Sequence, residues 1–212
     1  MRVVVTRPRG QEQELASGLE QLGHEVVVCP LVEVEPLGDD AIDVSSYDWV
    51  IVTSVNGARE LRRRMRGVPR RVAAVGRATA DAFGGADLVP EISTQEGLLA
   101  ELPRPAGRVL FAGAEEARSL LVNELGATFF PLYRTRALKP AEQPEGDLVV
   151  LASASAARAF GALELALPAV SIGPQTTAAA REAGVEVVAE AETHDVAGLL
   201  AAVVSRACSS AS

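Results

Sequence analysis

Aromatic side chains are scarce: they make up 4% of the 212 residues, against 48% hydrophobic residues overall. The core therefore has to be built from Val, Leu, Ile and Ala, the composition of buried parallel strands covered by helices. No apolar run approaches the roughly 18–20 residues of a membrane-spanning helix. The opening MRVVVTRPRG has neither the apolar length nor the cleavage site of a secretory signal. A cytoplasmic protein that makes no membrane contact is expected. Cysteine is nearly absent: Cys29 and Cys208 stand far apart, with no CxxC pair and no Cys/His cluster. That excludes a disulfide framework and a structural zinc site. Positive charge is also short, with 20 Lys and Arg against 28 Asp and Glu and a formal net charge of −8. Binding to nucleic acid relies on Lys and Arg neutralising phosphates, so no nucleic-acid partner is expected. The chain contains no Gly-x-Gly-x-x-Gly, no P-loop and no Ser/His/Asp order, and neither a cofactor nor a metal is expected. Its two histidines, His24 before a strand and His194 before the last helix, read as surface or capping residues.

What is present is regular. Runs of β-branched residues predict ten strands, at 2–6, 25–29, 48–53, 72–75, 87–89, 108–112, 128–132, 147–151, 169–172 and 185–189. Helical spacing fills the intervals, in Leu15/Leu19/Leu22, Leu61/Met65, Leu98/Leu99/Leu102, Leu121/Leu125 and Val196/Leu199/Leu200/Val203. Strands alternating with helices predict an α/β fold with parallel sheets. The length allows one large domain or two of about 100 residues each. The polar CSSAS tail is expected to be disordered.

The chain also repeats itself. A first unit, RVVVTRPRGQEQELASGLEQLGHEVVVCPLVEVEPL (2–37), returns as RVLFAGAEEARSLLVNELGATFFPLYRTRAL (108–138). A second, DWVIVTSVNGARELRRR (48–64), returns as DLVVLASASAARAFGAL (147–163). A third begins in VAAVGRATADAF and returns in AVSIGPQTTAAA, with Gly76 and Gly173 97 positions apart and Thr79 and Thr176 at the same offset. Each copy supplies five strands, the size of a flavodoxin-like sheet. The copies could be sequential domains, but VEVEP (32–36) and YRTRA (133–137) each place like charges at i and i+2, on one face of an extended strand. Glu33 and Glu35 could face Arg134 and Arg136 in an antiparallel ribbon, a hinge crossed twice by the chain, with 38–131 inserted as one domain. Alternatively, both segments are unrelated exposed edge strands.

Together, VVVTRP, DWVIVTSVNGA, AAVGRATADA, LYRTRA, LVVLASASA and SIGPQTTAAA, in this order and spacing, resemble the uroporphyrinogen-III synthase family over essentially the whole chain. The resemblance implies two flavodoxin-like domains, each a parallel five-stranded sheet in three layers, joined by a two-stranded β linker. Residues 1–34 with 138–212 would form a discontinuous domain, 38–131 the inserted one, and 32–37 with 132–138 the linker strands. It also implies two sheets facing each other across a cleft that offers matching turns to a linear tetrapyrrole. The activity implied is cyclisation of hydroxymethylbilane, which carries eight carboxylates, with inversion of the last pyrrole ring and loss of water. The implied partners are this substrate and, in transient hand-over, hydroxymethylbilane synthase; a monomer is expected.

The resemblance assigns assistance to the departing hydroxyl to Tyr133, through the Tyr-x-Thr of LYRTRA; the plainer reading is a half-buried aromatic at a strand end. Thr79 and Thr176, three residues after Gly76 and Gly173, and Ser54 and Ser153 in the equivalent second-unit turns, are candidate substrate-binding residues. Their hydroxyls would cap helices whose N–H groups bind carboxylates, and plain N-capping is the simpler account. Arg7 matches the family's TRP best; Arg9, Arg77 and Arg118 also fall in strand-end turns, while Arg62, Arg63, Arg64 and Arg66 read as solvated charge along one exposed helix. Gln175 stands where the family has threonine and Thr177 follows Thr176, so either hydroxyl could face the ligand. A non-catalytic tetrapyrrole-sensing module and a purely structural duplicated scaffold are the competing readings.

Overall fold

The structure, a computed structural model, describes residues 1–209; the expectation for the CSSAS tail lies, beyond Ser209, outside the described residues. The first copy contains β1 (Arg2–Val5), α1 (Gln13–Gln21), β2 (Glu25–Val28), β3 (Val32–Pro36), β4 (Ile42–Asp43), β5 (Trp49–Val52), α2 (Val55–Arg64), β6 (Met65–Arg66), β7 (Val72–Ala74), α3 (Arg77–Phe83) and α4 (Gln95–Glu101). The second contains β8 (Val109–Ala114), α5 (Leu120–Leu125), β9 (Thr128–Ala137), β10 (Leu148–Leu151), α6 (Ala154–Gly161), β11 (Ala169–Ser171), α7 (Pro174–Glu182), β12 (Val187–Glu190) and α8 (Val196–Ser209).

The fold is α/β with parallel sheets, and the two copies exchange their first units. One sheet runs β2-β1-β10-β11-β12, all parallel, so the first unit of copy one lies beside the second and third units of copy two. The other runs β3-β9-β8-β5-β7, where the first unit of copy two lies beside the second of copy one. The expected strand at 87–89 is reduced to a single parallel bridge between Ala73 and Leu88. An equivalent staple marks the exchange in both sheets: Asp147 accepts the Arg2 N–H at 2.7 Å, and Asp48 accepts the Arg108 N–H at 2.8 Å. In each case the acid that opens a second-unit strand holds the first-unit strand of the other copy in register.

The chain forms two compact units, Met1–Glu33 with Arg136–Ser212, and Val34–Thr135. In the first, alternate sheet residues face opposite ways: Val4, Val149 and Leu151 pack under α6 and α7 with Phe160 and Ala180, while Val3, Val5 and Val150 pack under α1 and α8 with Leu15, Leu19 and Leu199. The second is alike, with Val50, Val52 and Leu110 against Leu61 and Phe83 on one face, and Ile51 and Phe111 against Leu98 and Leu121 on the other. Covering both faces is what near-continuous aliphatic strands require. Among the described residues no helix is long and apolar enough to cross a membrane.

The segments 32–36 and 133–137 are neighbours rather than unrelated edges. Leu37 N–H donates to the Leu132 carbonyl and Leu138 N–H to the Leu31 carbonyl, both at 2.8 Å, so partner numbers fall as residue numbers rise and the pairing is antiparallel. The Glu35 carboxylate accepts from Nε and Nη2 of the Arg134 guanidinium, at 2.9 and 3.0 Å. The ribbon's second strand is no separate element: β9 runs unbroken from its parallel pairing with β8 into the pairing with β3.

The arginine run of α2 is not uniformly solvated. Arg66 lies in β6 beyond the helix, and the Arg64 side chain is only 2% exposed. Its guanidinium donates to the carbonyls of Asp40 (2.9 Å) and Leu37 (3.2 Å) and lies over the Phe130 ring. One helical turn before it, Glu60 supplies a carboxylate 3.8 Å away. Arg64→Ala strands both carbonyls and removes the packed stem, and should lower the unfolding free energy by about 2–4 kcal/mol, read as a lower urea midpoint. Arg63→Ala, where the arginine is itself half exposed and its partner Asp39 sits at the surface, should move the midpoint far less.

Candidate functional site

Every candidate residue falls at the C-terminal end of its sheet, the edge at which open parallel sheets bind ligands. In the unit Val34–Thr135, Ser54 follows β5, Gly76 follows β7, and Tyr133 sits in β9 opposite Ala114, the last residue of β8. In the other unit, Arg7 follows β1, Ser153 follows β10, and Gly173 follows β11, with Thr176 in the first turn of α7.

Ser54 and Ser153 are true N-caps. Both take extended backbone and accept from the N–H three residues on, Gly57 at 3.0 Å and Ala156 at 3.2 Å. Thr79 and Thr176 are not caps, contrary to the expectation. Gly76 and Gly173 occupy the cap positions, so neither α3 nor α7 has a side-chain cap, and both threonines lie buried in the first turn. The glycines permit close approach: a Cβ at Gly173 would stand 2.7 Å from the ring of the exposed His194, which would have to shift, and one at Gly76 would stand 3.1 Å from the Ser93 hydroxyl. His194 and Ser93 immediately precede the N-caps of the two last helices of the repeat, where Asp195 accepts from Gly198 N–H (2.8 Å) and Thr94 from Gly97 N–H (3.0 Å).

The structure brings two candidates together across 79 residues of sequence: the Tyr133 and Ser54 hydroxyls are 2.9 Å apart. Because Ser54 already accepts from Gly57, it retains one proton and one lone pair for the phenol, and either hydroxyl can donate. Tyr133 is 6% exposed. Burial pushes its phenol above the usual value near 10, the Ser54 hydrogen bond pulls the other way, and the nearby Glu116 carboxylate adds to the rise. Glu116 is held beside the tyrosine by accepting the Thr135 N–H at 3.0 Å, and the Glu115 N–H donates to the Tyr133 carbonyl at 2.7 Å. The acidic pair of GAEEARS was legible in the sequence, but its attachment to β9 was not.

Arg7 is half-buried, and the preceding Thr6 is fully buried with its hydroxyl on the Val150 carbonyl at 3.0 Å, tying β1 to β10 just below the turn. Arg9 and Arg77 are exposed. Arg118 is engaged by Glu96, in two contacts of 2.7 and 3.1 Å that hold the Glu96 carboxyl below its ordinary range. Among the described residues, no group of three or more His, Cys, Asp or Glu side chains could hold a metal ion.

The family model for uroporphyrinogen-III synthase HemD matches residues 13–201. The chain belongs to the uroporphyrinogen-III synthase family. Within it, the uroporphyrinogen-III synthase of Synechococcus elongatus is 27% identical over 248 residues, spanning 95% of this chain and 93% of its own. The putative uroporphyrinogen-III synthase of Archaeoglobus fulgidus is 32% identical over 209 residues, spanning 87% and 90%. A crystal structure of a mutant uroporphyrinogen III synthase from Thermus thermophilus superposes with a TM-score of 0.63 over 99% of both chains; at 18% identity it supports the fold alone. Membership carries the activity of the uroporphyrinogen-III synthases, a cyclising lyase step of tetrapyrrole biosynthesis.

The phenol's environment gives a direct check. Tyr133 should ionise above pH 10, because burial disfavours the phenolate. A folded value above the unfolded one means that this group's contribution to stability is intact below pH 10 and falls as pH rises through the folded value. Ultraviolet difference titration of the parent against Tyr133→Phe should place the missing ionisation above 10. A value at or below 10 would mean that the Ser54 bond outweighs burial.

Proposed function

We propose that this chain cyclises hydroxymethylbilane to uroporphyrinogen III, inverting the last pyrrole ring and releasing water, with Tyr133 as the proton donor to the departing hydroxyl. The observation that carries the residue assignment is the Tyr133–Ser54 pair at a sheet's C-terminal edge. Departure of the hydroxyl gives an azafulvene; the substituted carbon of the last ring attacks to form a spiro-pyrrolenine, which fragments and re-closes with that ring inverted. The proton that leaves with the hydroxyl is recovered when the closing ring's α-carbon loses its own, so the phenol returns to its starting state. The net change is loss of water without electron transfer, and no cofactor is assigned. A phenol near 10 or above is a weak acid at neutral pH, so the pyrrole nitrogen must supply most of the push. Steering is the larger task, because the free substrate closes without inversion; a well-oriented intramolecular closure gains up to about 7–11 kcal/mol from proximity.

Arg7, Ser54, Gly76, Thr79, Ser153, Gly173 and Thr176 are assigned to the substrate. An acidic chain can hold carboxylates this way because most of the donors are backbone N–H groups at helix starts, with Arg7 supplying charge. In the same reading the two units are flavodoxin-like domains. Their strands, counted by unit, run in the order 2-1-3-4-5 in both sheets, with the Leu88 bridge as the fifth position of one. Residues 32–37 and 132–138 serve as the linker between 1–34 with 138–212 and 38–131. The protein works in the cytoplasm as a monomer and receives its labile substrate by transient hand-over from hydroxymethylbilane synthase.

The test is to supply freshly generated hydroxymethylbilane and resolve the product isomers: type III should dominate, and type I alone would sink the proposal. Tyr133→Phe keeps the ring and the fold. It should slow turnover by up to about 10²–10⁴-fold, the range of general acid catalysis, with product affinity and melting temperature little changed. Unchanged turnover would remove Tyr133 from the mechanism.

A further inference from the structure

β11 and β12 end side by side, with Ser171 and Glu190 as register partners. Thr177, in the first turn of α7, reaches both: its hydroxyl donates to the Glu190 carboxylate and lies 2.5 Å from the Ser171 hydroxyl. A hydroxyl has a single proton, so Thr177 gives its own to Glu190 and accepts that of Ser171. Ser171 is fully buried and Thr177 is 6% exposed, whereas Glu190 stands at the exposed rim.

The duplication supplies an internal control. At the 97-residue offset that relates Gly173 to Gly76, Ser171 corresponds to Ala74 and Thr177 to Ala80. The Ala73–Leu88 bridge, equivalent to the Val170–Ala189 pair, sets Val89 in the place of Glu190. Ala74 and Ala80 are 0% and 4% exposed, so packing at these positions is met by apolar side chains in the other unit. Burying hydroxyls costs free energy that only their hydrogen bonds offset. The Ser171–Thr177–Glu190 chain is therefore an addition that the fold does not require.

We infer that Glu190 is a positioning residue for the reaction: acting through Thr177 and Ser171, it locks the first turn of α7 onto the ends of β11 and β12. The turn then holds one orientation in which its N–H groups and the Thr176 hydroxyl meet a substrate carboxylate. This rests on the reading above that the turn from Gly173 to Thr176 binds substrate, and it decides between the two threonines. The Thr177 hydroxyl is committed to Ser171 and Glu190, which leaves Thr176, itself only 4% exposed, as the threonine whose hydroxyl a carboxylate seated on the turn would engage. Gly173 brings no side-chain cap, and the hydroxyl chain adds a side-chain tie to the backbone bonds that hold this turn. Its bond to a carboxylate is of the stronger, charge-assisted kind.

The test compares Thr177→Val, Thr177→Ser, Glu190→Ala and Thr176→Val for KM and kcat with hydroxymethylbilane, for the ratio of type III to type I product, and for melting temperature. Thr177→Val and Glu190→Ala should each raise KM about 3- to 10-fold, the effect of releasing one hydrogen bond of positioning, and increase escape to type I, with kcat little changed. Thr177→Ser should restore both quantities, and Thr176→Val should raise KM directly. If Thr176→Val raises KM while Thr177→Val and Glu190→Ala do not, the inference fails and the substrate reading stands. If none of the three raises KM, both fail together. A rise with Thr177→Val but not with Thr176→Val would make Thr177 itself the contact, and a rise that follows lost melting temperature, with Glu190→Ala silent, would make the chain merely structural; each overturns the inference.

Discussion

Both sheets close through one kind of contact: a first-unit strand from one copy of the repeat lying parallel to a second-unit strand from the other. β1 pairs with β10 and β5 with β8, and these central pairs carry the fully buried valines, leucines and isoleucines on which the helices of both faces rest. Neither half of the sequence contains a complete sheet. The strand ends that carry the candidate residues depend on the exchange as well, since Arg7 and Ser153 are set by β1 and β10, and Ser54 by β5 beside β8. The backbone staples at Asp48 and Asp147 lie at the opposite edge and hold this register from below.

The exchange forces the chain to cross between units twice, between Glu33 and Val34 and between Thr135 and Arg136. Both crossings run in β3 and β9, so the two exposed backbones satisfy each other. An unpaired pair of crossings would leave two open strand edges, a liability that charged cross-strand partners such as Glu35 and Arg134 also blunt. The same β9 continues inward to Tyr133, so one strand both pairs with the outgoing chain and carries the phenol.

Local chemistry explains what could be read in advance. The strands were legible because aliphatic runs bounded by turn residues have few alternatives, and Ser54 and Ser153 because a hydroxyl before a helical run is a capping signal with a local cause. Alternating charge, which is also local, allowed the ribbon but equally allowed two unrelated edge strands, and only the family resemblance favoured the pairing. What the sequence concealed depends on contacts across long separations. The Tyr133–Ser54 bond spans 79 residues, and nothing near either residue announces it. Arg64 looked solvated among its neighbours because burial was decided by Phe130 and by carbonyls 24 and 27 residues away. The threonines were misread as caps because a glycine at the cap position shifts them into the first turn, which moves the offered donors from side chain to backbone.

The duplication also shows where the fold ends and the chemistry begins. Positions that keep the same character in both copies build what is repeated, the strand-opening aspartates in the frame and the serine caps and uncapped glycines in the turns at the strand ends. Positions that differ do not follow from the frame. Aligning PLVEVEP with PLYRTRA puts Val32 opposite Tyr133, so the serine turn is present twice and the phenol once. The hydroxyl chain to Glu190 is likewise present once, in the other unit, against Ala74, Ala80 and Val89. A linear tetrapyrrole has this same mixture of symmetry and asymmetry: four similar rings with similar carboxylates, and a leaving hydroxyl at one end only. Repeated turns suit the rings, whereas one end alone needs a proton donor. In the proposed reading, a duplicated scaffold with its phenol on a single copy matches a ligand that is repetitive in outline and reactive at one terminus.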